Sequence, residues 1–226
     1  NDPFTWTSTG YSREHTYSHS WMPTFPCDNP EQPEYNDQHN LWPTNLQQAN
    51  TPRSNLPLMD IDGNVVFTYL GGRVGYSGNQ LVYEPRPEQK GNAARSIFYM
   101  ATCYNGQAGN NWQLPANQSQ ESLKTWHFND LPDNYEIARH EYAYTLQGNR
   151  NPYIDSVYFA CHVNFANMSY LACDMGLEEQ LAVNFSVFPV PTSAKLYAQV
   201  NGLDIIAYQI TDIQGRTITQ ENNTKL

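Results

Sequence analysis

The sequence has no run of about 18 apolar residues, so it offers no membrane-spanning helix. It has no internal repeat, which sets aside solenoids and propellers. Lysine is scarce, with 4 Lys beside 8 Arg, and the net charge is −10. That balance argues against tight nucleic-acid binding through bulk positive charge, which draws on neutralisation of phosphates. None of the 4 cysteines (Cys27, Cys103, Cys161 and Cys173) forms a CxxC pair, which argues against a zinc knuckle. The HExxH order of a zinc protease is missing, although His19 follows His15 by four and leaves a weak metalloprotease reading. No leader is visible, and the first residue is Asn, which reads as a mature or trimmed chain.

What is present is a globular composition rich in rings: 16 Tyr, 9 Phe and 5 Trp. The 226 residues suffice for one large domain, or one domain and a small appendage, around a substantial core. Charge is unevenly placed. Of the 12 basic residues, 9 fall in the first 150 positions and seven of those are Arg, the better fork for phosphate. The even cysteine count fits an oxidised compartment or four free thiols. If bridges form, Cys161–Cys173 closes the shortest loop and is the expected pair.

Along the chain, residues 1–43 read as loops with short strand-like pieces. Thr44-Asn45-Leu46-Gln47 reads as a capping box with Thr44 as N-cap, opening a helix of about two turns near 45–50 that Pro52 limits at Thr51. Val65–Leu70 and Gln80–Tyr83 read as strands. Ala94, Ile97, Phe98, Ala101 and Tyr104 recur at helical spacing after Gly91 and Asn92, with Gly106 as the stop. A further helix is expected over 118–128. Asp133 with Glu136 caps another, whose apolar stripe is Tyr135, Ala138 and Tyr142 and whose end is Gly148. A polar loop, Asn149-Arg150-Asn151-Pro152, follows. Near residue 180 alternating strands begin: Phe185 to Ser193, then Ile205–Asp212 and Arg216–Thr219 around a Gln214-Gly215 turn. They make a second, all-β unit of about 40 residues, small for an independent domain.

The chemistry concentrates in Arg13-Glu14-His15, Asp37-Gln38-His39-Asn40-Leu41 and Asn50-Thr51-Pro52-Arg53-Ser54-Asn55. Cleaving a phosphodiester needs an activated water, a Lewis acid and charge neutralisation. An imidazole titrates near neutrality and suits the first task. A hard cation suits the second and takes a few protein oxygens, with water filling the rest. His15 is therefore the expected base, Glu14 and Asn50 the expected metal ligands, and Arg53 the expected phosphate clamp. Neighbouring side chains on an extended strand point to opposite faces, so Glu14 and His15 must diverge around one site.

Five ordered blocks carry a resemblance. They are Arg13-Glu14-His15; Asp37-x-His39-Asn40-Leu41-x-Pro43; Asn50-x-x-Arg53-Ser54-Asn55; Gly91-Asn92-Ala93-Ala94-Arg95-Ser96-Ile97-Phe98-Tyr99-Met100; and Gln147-Gly148-Asn149-Arg150-Asn151-Pro152-Tyr153. Together they resemble the bacterial endonuclease I family of ββα-metal (His-Me finger) nucleases. The resemblance implies nonspecific hydrolysis of DNA, and often RNA, with one divalent cation. It implies His15 as general base and Glu14 and Asn50 as ligands. It also implies Arg13, Arg95 and Arg150 as phosphate contacts, Arg95 and Arg150 having an internal salt bridge as the equal alternative. His39 and Asn40 are expected to support the site from behind, and His19 likewise. Residues 23–36 hold no basic residue where some relatives place a phosphate-contacting Arg.

The stretch from Phe185 to Arg216 resembles the C-terminal sorting domain of type IX secretion cargo in Bacteroidetes, and stops before its last strands. It implies export across the outer membrane. The full expectation is an α+β chain: a ββα-metal core with surrounding helices and long loops over 1–180, and a partial Ig-like β unit over 181–226. The function expected is a secreted or cell-surface endonuclease, a monomer using Mg²⁺, with Ca²⁺ or Mn²⁺ as alternatives. The competing expectation is a surface binding or structural protein that keeps the nuclease fold without turnover.

Overall fold

The computed structural model describes residues 10–26, 32–173, 185–188, 195, 197–200, 207–212, 214 and 216–222. The chain divides into two compact units, Asn1–Cys173 and Asp174–Leu226. The boundary expected at 180/181, and Cys27, lie outside the described residues.

The first unit mixes helices with small antiparallel sheets, an α+β arrangement. Strand β1 (Tyr11–His15) pairs antiparallel with β2 (Leu41–Asn45), Glu14 standing opposite Trp42 and His15 opposite Leu41. The connection between them carries a short helix, α1 (Pro33–Asn36). Asn40 ties it down, its side chain accepting from the Tyr17 amide and donating to the Tyr17 carbonyl at 2.7 and 3.2 Å.

A helical segment leaves β2 at once. The capping residue is Asn45, whose side chain accepts from the amides of Gln47 and Gln48, while Thr44 stays in the strand. The expected box is thus displaced by one residue. The segment runs through a π turn, Leu46–Asn50, into α2 (Thr51–Arg53), and Thr51 is helical (φ −61°, ψ −48°) despite the proline after it. Pro52 sits in the first turn of α2, where its missing N–H costs least.

Strands β3 (Val65–Tyr69), β4 (Gly72–Ser77) and β5 (Gln80–Glu84) form an antiparallel meander in that order. The sequence reading had its outer strands and missed β4, whose glycines and Arg73 blur the alternation. Leu70 and Gly71 connect β3 to β4 with φ of 44° and 86°, a left-handed pair of the kind that matches hairpin twist.

Helix α3 (Lys90–Tyr104) is the centre of the core. Ile97, Phe98, Tyr99, Met100 and Ala101 are fully buried, packed with Trp112, Leu123, Tyr153 and Phe165, and the Phe98 and Phe165 rings stack at 3.9 Å. The expected stripe is buried, but Gly91 and Asn92 lie inside the helix rather than before it. A Cβ on Gly91 would fall 1.9 Å from the Asp130 carbonyl oxygen, so the close approach admits only glycine.

Helix α4 (Gln120–Asn129) is capped by Ser119 and α5 (Asn134–Gln147) by Asp133, with Gly148 ending α5 at φ 74°. The face of α5 corrects the sequence reading. Tyr135 and Tyr142 are 60% and 61% exposed, and Ala138 is exposed too; Glu136, His140 and Ala143 are the buried positions. The buried carboxylate is satisfied by Arg95 from α3, and that polar match overrides the apolar stripe.

Helix α6 (Pro152–Asp155), a 3-10 turn over Val157–His162 and the short pair β6 (Val163–Asn164) and β7 (Ser169–Tyr170) complete the unit. Cys161 and Cys173 are bridged, as expected. In the second unit β8 (Phe185–Phe188) pairs with β9 (Tyr197–Val200) and β10 (Ala207–Thr211) with β11 (Thr217–Asn222), both antiparallel. Asp212 closes the last hairpin by accepting from the amides of Gln214 and Arg216.

Candidate active site

Glu14 and His15 diverge. The Glu14 carboxylate meets Arg53 of α2, Oε1 to Nε at 3.2 Å, and opens on a cleft of about 440 Å³. The His15 ring turns to the other face, where Nε2 lies 2.8 Å from the Tyr35 carbonyl. A carbonyl only accepts, so Nε2 carries the proton and Nδ1 keeps a lone pair. The rings of Tyr35 and His19 flank His15 at 4.8 and 5.8 Å.

The two neighbours are shifted in opposite senses by the same cause. Burial lifts the Glu14 carboxyl to about 7, against the pull of Arg53. Burial also holds the His15 imidazole below its usual range, against the Tyr35 hydrogen bond, and His19, Arg13 and Arg53 push it the same way.

Asn50, the last residue of the π turn, reaches back to β1. Its amide nitrogen donates to Ser12 Oγ and, at 3.4 Å, to the Arg13 carbonyl. Among the described residues nothing donates to Asn50 Oδ1 or to Glu14 Oε2. Ser12 and Glu14 share one face of β1 by strand alternation, and the Asn50 amide meets that strand at Ser12.

Arg53, expected as a phosphate clamp, is engaged within the chain. It is 3% exposed; its Nε faces Glu14, and its two terminal nitrogens donate to the carbonyls of Ser54 and Thr16 at 2.5 and 2.7 Å. Its plane lies over the Trp21 ring at 5.1 Å. With every nitrogen engaged, Arg53 holds Glu14 and the β1 exit rather than a free phosphate. Ser54 beside it adopts φ 47°, a strained conformation for a residue with a Cβ.

Arg95 is corrected as well. It is fully buried on α3, bound through Nε and Nη2 to Glu136 and through Nη1 to the Asp130 carbonyl at 2.6 Å. A side chain with no exposed surface cannot touch a nucleic acid. Arg150 is partly exposed but shared by two carboxylates, Glu141 and Asp155, each at 2.7 Å. For both, the internal salt bridge is what the structure shows. Arg13 is exposed, 5.9 Å from the Tyr35 ring, with no ion pair among the described residues.

His39 and Asn40 sit behind the hairpin. His39 is buried, its Nε2 3.2 Å from the Asn149 carbonyl and its Nδ1 without a partner. Sequence reasoning missed the hub beside them. Asp37 accepts from the Tyr99 and Tyr104 hydroxyls at 2.6 and 2.8 Å, the Gln147 amide at 2.8 Å and the His39 backbone at 2.8 Å. It fastens the β1–β2 connection to α3 and to the end of α5. The signal for it lies in the Asp37-x-His39-Asn40 block, where a carboxylate precedes the buried His39 and Asn40.

The family model described as Endonuclease I matches residues 5–157, and the chain belongs to that family. It is also similar to two curated proteins, each named extracellular ribonuclease. One is from Bacillus subtilis (strain 168) and the other from Bacillus amyloliquefaciens, each 36% identical over 131 residues, 53% of this chain. The match spans 43% of the length of each relative.

Proposed function

We propose that the protein is a secreted endonuclease that hydrolyses phosphodiester bonds of DNA or RNA with one divalent cation. The observation that carries this is the divergence at β1: Glu14 turns to Arg53 with Oε2 unengaged, His15 turns to Tyr35 with Nδ1 free, and Asn50, its Oδ1 unengaged, reaches the same strand at Ser12. The pair β1–β2 followed at once by the α2 segment supports a ββα-metal core.

Two neutral-or-anionic oxygens with room for water are what a hard cation takes, and the donor set fits Mg²⁺ first, with Mn²⁺ or Ca²⁺ as alternatives. Among the described residues no group of three or more His, Cys, Asp and Glu converges, so the ion would keep much of its water. When bound, it would supply Lewis-acid polarisation of a phosphoryl oxygen. His15 Nδ1 takes a proton from the attacking water, whose oxygen bonds to phosphorus as the phosphorus–oxygen bond to the leaving group breaks, the departing oxygen keeping the bonding pair and taking a proton from solvent water. The sheet has only two strands, so β1 keeps one edge free of β2, and the phosphate lies across it. Arg53 positions Glu14, and Arg13 contacts a flanking phosphate.

The names of the Bacillus relatives support an extracellular location and RNA among the substrates. The second unit, with its Asp212 turn, is read as a partial sorting module of Ig-like type for type IX export, and the protein as a monomer.

The test is digestion of plasmid DNA and of RNA with Mg²⁺, with and without EDTA, by wild type and His15→Ala. Loss of a general base lowers turnover by about 10²–10⁴. Unchanged cleavage by His15→Ala sinks the mechanism. No cleavage by the wild type under any condition favours the binding-protein alternative.

A further inference from the structure

The cleft beside Glu14 is larger than a single cation and its waters require. Its about 440 Å³ lies within the range of small-ligand pockets. Its walls are rings and aliphatic surface: Trp42, Tyr69, Tyr83 and Leu70, with Tyr11 at the edge. The charged or titratable side chains lining it are Arg53, Arg86 and Glu14, two cations beside one carboxyl on a chain whose net charge is −10.

Of the two cations, Arg86 is the accessible one. Its side chain is 55% exposed, and Glu88 stands off at 4.0 Å. Its Cβ abuts the Leu70-Gly71 turn, 3.1 Å from where a Gly71 Cβ would be, and Arg86 and Tyr69 both line the cleft. Leu70 on that turn is 76% exposed at a left-handed φ of 44°. The Tyr83 hydroxyl lies over Gly72, 2.6 Å from the position of a Cβ there, and has no hydrogen-bond partner among the described residues.

We propose that this cleft is a nucleobase subsite that takes one unpaired base next to the scissile phosphate, stacked on Tyr69 with Arg86 on the adjoining phosphate, so that single-stranded nucleic acid is the preferred substrate. The proposal rests on the nuclease reading above and adds the strandedness of the substrate. Every base has a π face, so stacking holds any of them and asks for no sequence. A base within a duplex must first be unstacked and unpaired, at a cost of a few kcal/mol, before it can enter.

The experiment is fluorescence anisotropy with the full chain carrying His15→Ala, in EDTA, titrated into a labelled single-stranded oligonucleotide and a labelled hairpin duplex. The single strand is expected to bind about tenfold tighter than the duplex or better. Adding Tyr69→Ala raises the single-strand Kd by about tenfold, the share of one stacked base, and leaves the duplex Kd unchanged. Tyr69→Phe keeps the wild-type Kd and controls for folding of the hairpin. Arg86→Ala weakens both ligands and lowers the salt slope by about one phosphate contact. Equal affinities for the two ligands, or a single-strand Kd within about twofold after Tyr69→Ala, overturn the subsite. Binding here does not depend on cleavage. A wild type that digests nothing with Mg²⁺ removes the nuclease reading, while the anisotropy still decides the subsite.

Discussion

Glu14 and His15 occupy adjacent positions on β1, and one physical cause, desolvation, gives them opposite readiness. The lifted carboxyl of Glu14, at about 7, must lose its proton before it can hold a cation. Burial disfavours the charged form of the His15 imidazole and so extends its neutral, proton-accepting form toward lower pH. The acid limb of activity is therefore expected near pH 7, set by Glu14. Calorimetric titration with Mg²⁺ should show binding about tenfold weaker at pH 6 than at pH 8, the ratio of ionised Glu14 expected for a carboxyl near 7. Glu14→Gln should bind weakly at both values with no pH dependence. A limb well below 6.5 with no Glu14 contribution would contradict the assignment. For stability the sign is the reverse of a salt-bridged carboxylate. A folded-state value raised from 4.5 to about 7 means that this group's contribution falls as pH rises between them in the metal-free protein. Arg95 shows how little a residue type says without its surroundings. Breaking its buried pair with Glu136 by Arg95→Ala should cost about 3–5 kcal/mol in urea denaturation and leave the salt slope of nucleic-acid binding untouched.

Among the elements, α5 is the most instructive. Its sequence carries a stripe of Tyr135, Ala138 and Tyr142 at helical spacing, and the helix turns that stripe outward. Burial of Glu136 against Arg95 and of His140 against Asn151 fixes the rotation instead. Tyr135→Gln and Tyr142→Gln are accordingly expected to change stability by no more than about 0.5 kcal/mol in urea denaturation; losses of 2 kcal/mol or more, as roughly expected for a core ring, would place the stripe inside. Helix α3 followed its pattern because its periodic residues face the core on nearly every side. The glycine that opens it is a contact rather than a cap. Gly91→Ala should be among the large effects, above about 3 kcal/mol, because its Cβ would overlap the Asp130 carbonyl to which Arg95 also donates. The helical segment after β2 was legible within one residue. Asn45 took the cap from Thr44 because β2 pairs as far as Asn45 opposite Tyr11, and the first residue freed to turn its side chain back is that asparagine.

At the scale of the whole molecule, the bridge Cys161–Cys173, twelve residues apart, closes the end of the first unit. In the chain-entropy account such a loop contributes about 3 kcal/mol, so melting curves with and without reductant should separate by several degrees. The order of the five motifs, the helical period of α3, the Asp133 and Gly148 boundaries of α5 and the short-loop cysteine pair were determined by the sequence alone, because each depends on neighbours within a few positions or on residue identity. The tertiary structure decided which way those residues face and what they meet. It buried Arg53 and Arg95, turned the α5 stripe to solvent, gathered Tyr99, Tyr104, Gln147 and His39 around Asp37, and drew Tyr69, Tyr83 and Arg86 to the cleft beside Glu14. The physical reason is that burial, charge pairing and the shape of a cleft are set by residues far apart in the chain, and no local spacing encodes them.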